Sequence, residues 1–224
     1  GAFADGTGAA AKFNLPLQMA IDANDNIYLV DSGNHRIRKI TPAGVVTTLA
    51  GTGTGSSVDG GVASATFNEP TGIAINPGTG VIYVSELTGK VIRKIENGQV
   101  TTVAGLAATS ALTNGFGTAA RFESPHSIVL LPNGNLLVRD VTSAAFRLFN
   151  TVTTEVTTLT TGTTGFNSYA GVDAQGRLYL PLAANQLTLT SDFDSVNLVG
   201  SGTAGSVLGV NTAATISDPR SLVF

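Results

Sequence analysis

Three acids and three arginines recur along this chain at one fixed separation. Asp31, Glu86 and Asp140 are each followed seven residues later by an arginine, Arg38, Arg93 and Arg147. A carboxylate beside a guanidinium is raw material for acid–base chemistry, because the neighbouring charge tunes the acid's proton affinity. Catalysis needs such a pair once, in an asymmetric place. A pair repeated along the chain reads instead as a structural tie, with the arginine fixing a turn or meeting an acid of its own or the next repeat. A fourth copy has Leu182 at the acidic position and Leu189 or Thr188 at the basic one, so it is expected to lack the tie.

Other reactive groupings are sparse. His35 and His126 are the two histidines and fall at non-equivalent positions, so a metal site would need ligands from elsewhere. His126, just after Pro125, is the one better placed to face a central opening. Asp5-Gly6-Thr7-Gly8 and Asp59-Gly60-Gly61 lack the further carboxylates that Ca²⁺ requires and read as turns. Gly51-Thr52-Gly53-Thr54-Gly55 is followed by no Lys-Ser/Thr and opens no helix, so it is a connecting loop rather than a phosphate cradle. There is no Ser-His-Asp ordering, no His-Glu-x-x-His, and no cysteine. No catalytic residue, metal or cofactor is assigned from these patterns.

The elements that must hold these residues are repeats. Val46-Thr47-Thr48-Leu49-Ala50-Gly51 returns as Val100-Thr101-Thr102-Val103-Ala104-Gly105 and, worn, as Val156-Thr157-Thr158-Leu159-Thr160-Thr161. Phe13-Asn14-Leu15-Pro16 lies over Phe67-Asn68-Glu69-Pro70 and Phe122-Glu123-Ser124-Pro125, with Asp5, Asp59 or Asn114 eight residues before each Phe. After the Pro come four short runs with strand character. In the first unit they are Met19 to Asp22, Ile27 to Asp31, Arg36 to Ile40 and Val45 to Ala50, separated by turn-like segments such as Ala23-Asn24-Asp25-Asn26 and Thr41-Pro42-Ala43-Gly44. The second unit has them at Gly72 to Asn76, Val81 to Glu86, Val91 to Ile95 and Gln99 to Ala104; the third at Ser127 to Leu131, Asn135 to Asp140, Ala145 to Phe149 and Glu155 to Leu159. A fourth, at Ala170 to Asp173, Arg177 to Leu180, Leu187 to Thr190 and Val196 to Val199, is degraded, and Pro181 is expected to disturb its second strand. The chain thus divides at roughly 1–51, 52–105, 106–161 and 162–200, with 201–224 repeating a lead-in loop and one strand, Ser221 to Phe224.

Four-stranded antiparallel units with one face too apolar to expose stack radially, which predicts an all-β protein, a β-propeller of four full blades and the first strand of a fifth. Ala4-Asp5-Gly6-Thr7-Gly8-Ala9-Ala10-Ala11-Lys12-Phe13, Ile27 to Asp31, and Asn34-His35-Arg36-Ile37-Arg38-Lys39-Ile40 closely resemble the NHL repeat, named for its Asn-His-Leu signature. Here the signature reads Asn34-His35-Arg36, Gly89-Lys90-Val91 and Ser143-Ala144-Ala145. The resemblance implies a propeller, commonly of six blades, used mostly as a binding platform. Four blades fall short of that, which leaves a piece of a larger ring, a ring completed by another chain, or a four-bladed or open structure.

Composition narrows the partner. Charged residues make up 12% and the net charge is -3, which leaves no basic face for nucleic acid. No run of about 18 apolar residues suggests a membrane span. Low charge, few lysines and many Gly and Thr suggest a secreted, cell-surface or periplasmic bacterial protein. The leading expectation is a non-enzymatic propeller that binds a protein or glycan through the loops at one end. Asn34, His35, Arg36, Glu86, Lys90, Arg139 and Asp140 are its candidate contacts, and Asp31, Arg38, Arg93 and Arg147 its ties. The alternatives are an assembly subunit that self-associates through a free edge strand, and an axial metal-dependent lyase or lactonase. The inner runs, at Ala20, Ala74, Val129 and Val172, are too apolar to favour the last.

Overall fold

The computed structural model describes residues 2–160 and, beyond them, four strands at 171–172, 178–182, 186–191 and 194–199. In the first sheet β1 is Gly6–Thr7, β2 Pro16–Ile21, β3 Ile27–Asp31, β4 Arg36–Ile40 and β5 Val45–Ala50. The second holds β6 (Gly60–Gly61), β7 (Pro70–Ile75), β8 (Ile82–Glu86), β9 (Val91–Glu96) and β10 (Gln99–Gly105). The third holds β11 (Gly115–Phe116), β12 (Pro125–Leu130), β13 (Leu136–Asp140), β14 (Ala145–Phe149) and β15 (Glu155–Thr160). Each is an antiparallel meander of four long strands.

The lead-in dipeptides depart from expectation. Read as turns, they form a fifth, outermost strand: Gly6 pairs with Val46 and Thr7 with Val45, and β6 and β11 do the same on β10 and β15. Gly6 reaches that edge at φ 154°, a value open to glycine and strained for other residues. A 3₁₀ turn follows at Gly8–Ala10 and at Gly117–Ala119. Each inner strand begins at its proline, where a missing N–H is tolerated.

A fourth sheet is formed by β16 (Gly171–Val172), β17 (Leu178–Leu182), β18 (Gln186–Ser191) and β19 (Asp194–Val199). Pro181 does not end β17; it sits inside the strand, opposite Leu187 of β18. The expected loss of the tie at Leu182 and Leu189, and the strand Ser221 to Phe224, fall outside the described side chains and residues.

Alternation puts the cores between sheets. Tyr28, Val30 and Ile37 of the first sheet meet Phe67, Ile73, Ile75 and Val84 of the second. Ala74, Tyr83 and Ile92 of the second meet Phe122, Ile128 and Val138 of the third. Where the inner strands converge, Gln18 of β2 joins all three sheets. Its Nε2 donates to the Ile128 carbonyl at 2.7 Å, and its Oε1 accepts from Ile128 N at 3.2 Å and Ile73 N at 3.3 Å. The equivalent residue in β7 is Gly72. A Cβ there would lie 2.6 Å from the His126 carbonyl oxygen and 2.9 Å from Ile128 N, so β12 could not approach β7 as closely if any larger residue replaced it.

The turn between β2 and β3 is held by one carboxylate. Asp22 accepts from the backbone N–H of Asn24 and Asn26, the Asn26 amide and the Tyr28 hydroxyl, at 2.9 to 3.0 Å. These donors, the Asn26 amide foremost, hold the Asp22 pKa at about 2, against an ordinary 3.8. A folded value below the unfolded one means that the contribution is complete above pH about 4 and is lost as pH falls through about 2. An NMR titration of the Asp22 carboxyl is expected to give a midpoint near pH 2. A midpoint at the ordinary value would show that this turn is open in solution.

Candidate binding face

The repeated acids and arginines are spent inside the sheets. Arg38, on β4, donates through Nη1 to Asp31 at 2.7 Å and to the Lys12 carbonyl at 3.0 Å. Its Nη2 reaches Asp5 at 2.7 Å and the Ala4 carbonyl at 2.8 Å, and the guanidinium lies 5.0 Å from the Phe13 ring centre. Arg93 repeats the arrangement with Glu86, the Thr66 carbonyl, Asp59 and the Val58 carbonyl, over Phe67. Arg147 donates to the carbonyls of Arg121 and Thr113 and to Asn114 Oδ1 over Phe122, and stands 3.8 Å from Asp140. Each tie therefore fastens the lead-in loop to the sheet and roofs the phenylalanine of its own repeat.

The protonation balance follows from burial. Desolvation pushes Glu86 above its ordinary pKa, against the pull of Arg93, Ser57 Oγ and Asn68 N–H. For Asp5, the rise from partial burial is outweighed by hydrogen bonds from Thr48 and Arg38, and its pKa is lowered. Burial lowers Arg147, with Asp140 opposing. No member of these ties has an accessible oxygen on β3, β8 or β13, because Asp31, Glu86 and Asp140 are all 0% exposed.

That burial corrects three of the candidate contacts. Glu86, Arg139 and Asp140 do not lie on the loop face; the strand ends that carry them are roofed by the lead-in loops. Asp140 accepts the N–H groups of Glu123 and Ser124, and Arg139 lies over Phe146 while donating to the carbonyls of Asp140 and Ala145. Asn34, His35, Arg36 and Lys90 do lie at that end, half-buried and partnered. Asn34 donates to Asp31, and Arg36 to the carbonyls of Asn34 and Thr52, with Phe3 against its guanidinium.

His35 and Lys90 join one sheet to the next. His35 Nδ1 accepts from Glu69 N at 3.1 Å, and Lys90 Nζ donates to the Glu123 carbonyl. Both, with Ala144 at the equivalent place, adopt the left-handed conformation, with φ of 53°, 61° and 49°. That backbone turns the side chain toward the following sheet. His126 is likewise half-buried, and its carbonyl accepts from Thr71 and Ser85 at 2.7 and 2.6 Å. Burial lowers the His126 imidazole pKa; Arg139 pushes the same way and Glu69 opposes. Among the described residues no three His, Asp or Glu side chains gather as a metal site needs.

The connections between blades at this end are neutral. The loops between second and third strands, 32–35, 87–90 and 141–144, sit beside the connections 51–58 and 106–114, tied by Ala108 N to the Gly89 carbonyl at 3.1 Å and by Arg36 to Thr52. Thr52, Thr54, Gly55, Val58, Thr88, the stretch 106–110, Leu112 and Thr142 are exposed there. Neither connection carries a charged side chain. The exposed surface therefore offers hydroxyls, backbone groups and small apolar patches at Val58, Leu106 and Leu112.

The model of the Teneurin NHL domain family matches residues 3–173. The chain belongs to this family. Within it, the sheets described above are propeller blades, and the tie and the phenylalanine under it mark each of the first three repeats. One relative is protein SUPPRESSOR OF QUENCHING 1 of Arabidopsis thaliana, 40% identical over 93 residues, which is 41% of this chain and 9% of that protein. This chain therefore spans only a small part of that relative. Among solved structures, a chain of a nidogen/laminin complex superposes with TM-score 0.62 at 17% identity, covering 84% of this chain and 65% of that one. A gluconolactonase of Xanthomonas campestris superposes with TM-score 0.59 at 12% identity, covering 84% and 64%. At those identities the likeness shows the propeller fold alone.

Proposed function

We propose that this NHL propeller is a binding module, and that its loops at 51–58 and 106–114 dock an uncharged protein surface. One observation carries the reading: the acid–arginine ties, His35 and Lys90 are engaged within and between the blades, while the connections between blades carry no charge and leave neutral side chains facing outward. Variable loops on a constant scaffold are where such folds place specificity. Propellers of this fold serve both uses, since one neighbour occurs in a nidogen/laminin complex and another is a gluconolactonase. Gln18 bridges the inner strands of the three described blades, which favours the binding use here.

Leu106 and Leu112 are 42% and 37% exposed and bear on no tie, so charging them leaves the blades intact. Changing both to Lys is expected to weaken capture of a protein partner at least about tenfold, as loss of a buried interface anchor does. The wild-type and variant chains would be compared on a protein array and a glycan array, with circular dichroism as the folding control. Equal protein binding by both, binding to glycans alone, or turnover of a lactone substrate by the purified chain would overturn the proposal.

A further inference from the structure

One arginine of the first blade is held rigidly and has no carboxylate. Arg36 and Arg38 project from the same side of β4, and the Phe3 ring lies 3.9 Å from the first guanidinium and 4.8 Å from the second. Arg38 meets Asp31 and Asp5. Among the described residues no acid pairs with Arg36; its Nη1 donates to the Asn34 carbonyl at 3.0 Å and its Nη2 to the Thr52 carbonyl at 2.5 Å. Those bonds use two of the five N–H groups of a guanidinium. The backbone at Gly53 lies so close that any side chain there would collide with Nη1 and Nη2. The repeat does not require this charge, since the counterparts of Arg36 are Val91 and Ala145, both without exposure.

Beside Arg36 the first two blades leave a cavity of about 380 Å³, bordered by Phe3, Arg36, Leu49, Gly51, Val62 and Ala63. Leu49 and Val62 pack on the margin of the core between those blades. No acid borders the cavity, and Asp5, which bonds to Thr48 at its edge, is already paired with Arg38. Both blades that form it are described, so it is not a face awaiting another blade. We infer that this cavity is a binding site for a carboxylate on a short apolar stem, the acid on Arg36 and the stem against Leu49 and Val62. A planar guanidinium meets a carboxylate through two parallel N–H···O bonds, a fit that a neutral amide does not reproduce. Phe3 and the two carbonyls hold the guanidinium in place beforehand, so little side-chain freedom is lost on binding. The volume suits a small organic acid or the last residue of a peptide. The site goes beyond the loop-face reading: Leu106 and Leu112 lie on the next connection, so either idea can fail without the other.

Titration with N-acetyl-leucine, followed by methyl NMR, is expected to shift the Leu49 and Val62 signals saturably in the millimolar range, ordinary for so small a ligand. N-acetyl-leucinamide, which differs only in the acid, should bind at least about tenfold more weakly. Isocaproate has the acid and the stem without the peptide group. Binding of both acids supports a free organic acid as ligand, and binding of N-acetyl-leucine alone supports a chain terminus. Arg36→Gln should abolish the shifts with the circular dichroism unchanged. Ala63→Glu, at an exposed position, brings a carboxylate of the chain's own to the cavity and should block the acids while Arg36 and Phe3 stay in place. The absence of a saturable shift with either acid, or equal binding of the amide, would overturn the inference. So would acid binding that survives Arg36→Gln or Ala63→Glu.

Discussion

Replacing Arg93 by Met is expected to destabilise the protein by about 3–5 kcal/mol, the usual cost of removing one partner of a buried ion pair. At this chain length that is a fall of about 6–20 °C in Tm. The guanidinium serves two carboxylates and two carbonyls at once, and both it and Glu86 have side chains with no exposure. Methionine fills the space over Phe67 but leaves Glu86 with only Ser57 Oγ and Asn68 N–H. Burial already raises the Glu86 pKa, and losing Arg93 removes the main opposing charge. A carboxyl whose folded pKa exceeds its unfolded one favours the folded state at low pH, so the variant should gain stability as pH is lowered from neutral toward the ordinary glutamate range. Adding Glu86→Gln should restore about 2 kcal/mol at neutral pH, because the uncompensated charge is gone. Urea unfolding at two pH values measures all of this; a flat pH response together with additive effects of the two substitutions would show that Glu86 and Arg93 are not coupled. Arg147→Met should cost less, since Asp140 is 3.8 Å away and already holds two backbone N–H groups.

The tie and the blade were legible in the sequence because both repeat. An acid and an arginine seven residues apart, on either side of a short connection, fall on neighbouring strands: Asp31 ends β3, and Arg38 lies on β4 opposite Leu29. What the repeat could not reveal is where a carboxylate ends up once the lead-in loop closes over it. Glu86 and Asp140 looked like surface residues at strand ends, and their burial depends on backbone groups of residues 66–68 and 121–124, whose placement no side-chain pattern encodes. The outermost strands escaped notice for a simpler reason, since two residues are too few to show alternation. Gln18 escaped because it breaks the repeat: Gly72 stands at the matching position of the second blade, and the bonds Gln18 makes to Ile128 cross 110 residues. The loop-face histidine and lysine were found as residues, but the contacts they make to the next blade were not. A residue in the same place between the second and third strands of the first three blades, left-handed in each, was the available signal, and only the backbone of Glu69 and Glu123 shows what the first two reach.

The same phenylalanine, deleted in two repeats, should give two different results. Phe122 is fully buried in the cluster between the second and third blades and lies under Arg147. Phe122→Ala is therefore expected to cost about 3–5 kcal/mol, the range for truncating a core aromatic whose surroundings cannot collapse. Phe13 occupies the identical place in the first repeat, beneath Arg38, but it is only half-buried because no described blade precedes it. Phe13→Ala removes less area from contact and opens no enclosed cavity, so its cost should be about 1 kcal/mol. Sequence alone assigns both residues one role, since each sits eight residues after its lead-in polar residue and three before its proline. A difference between them measures what the preceding blade adds to a repeat, separately from what the repeat provides for itself. Chemical denaturation of the two variants beside the wild-type chain supplies that comparison. Equal losses would show that each blade holds its phenylalanine unaided, and that neighbouring sheets contribute little to the stability of any one of them.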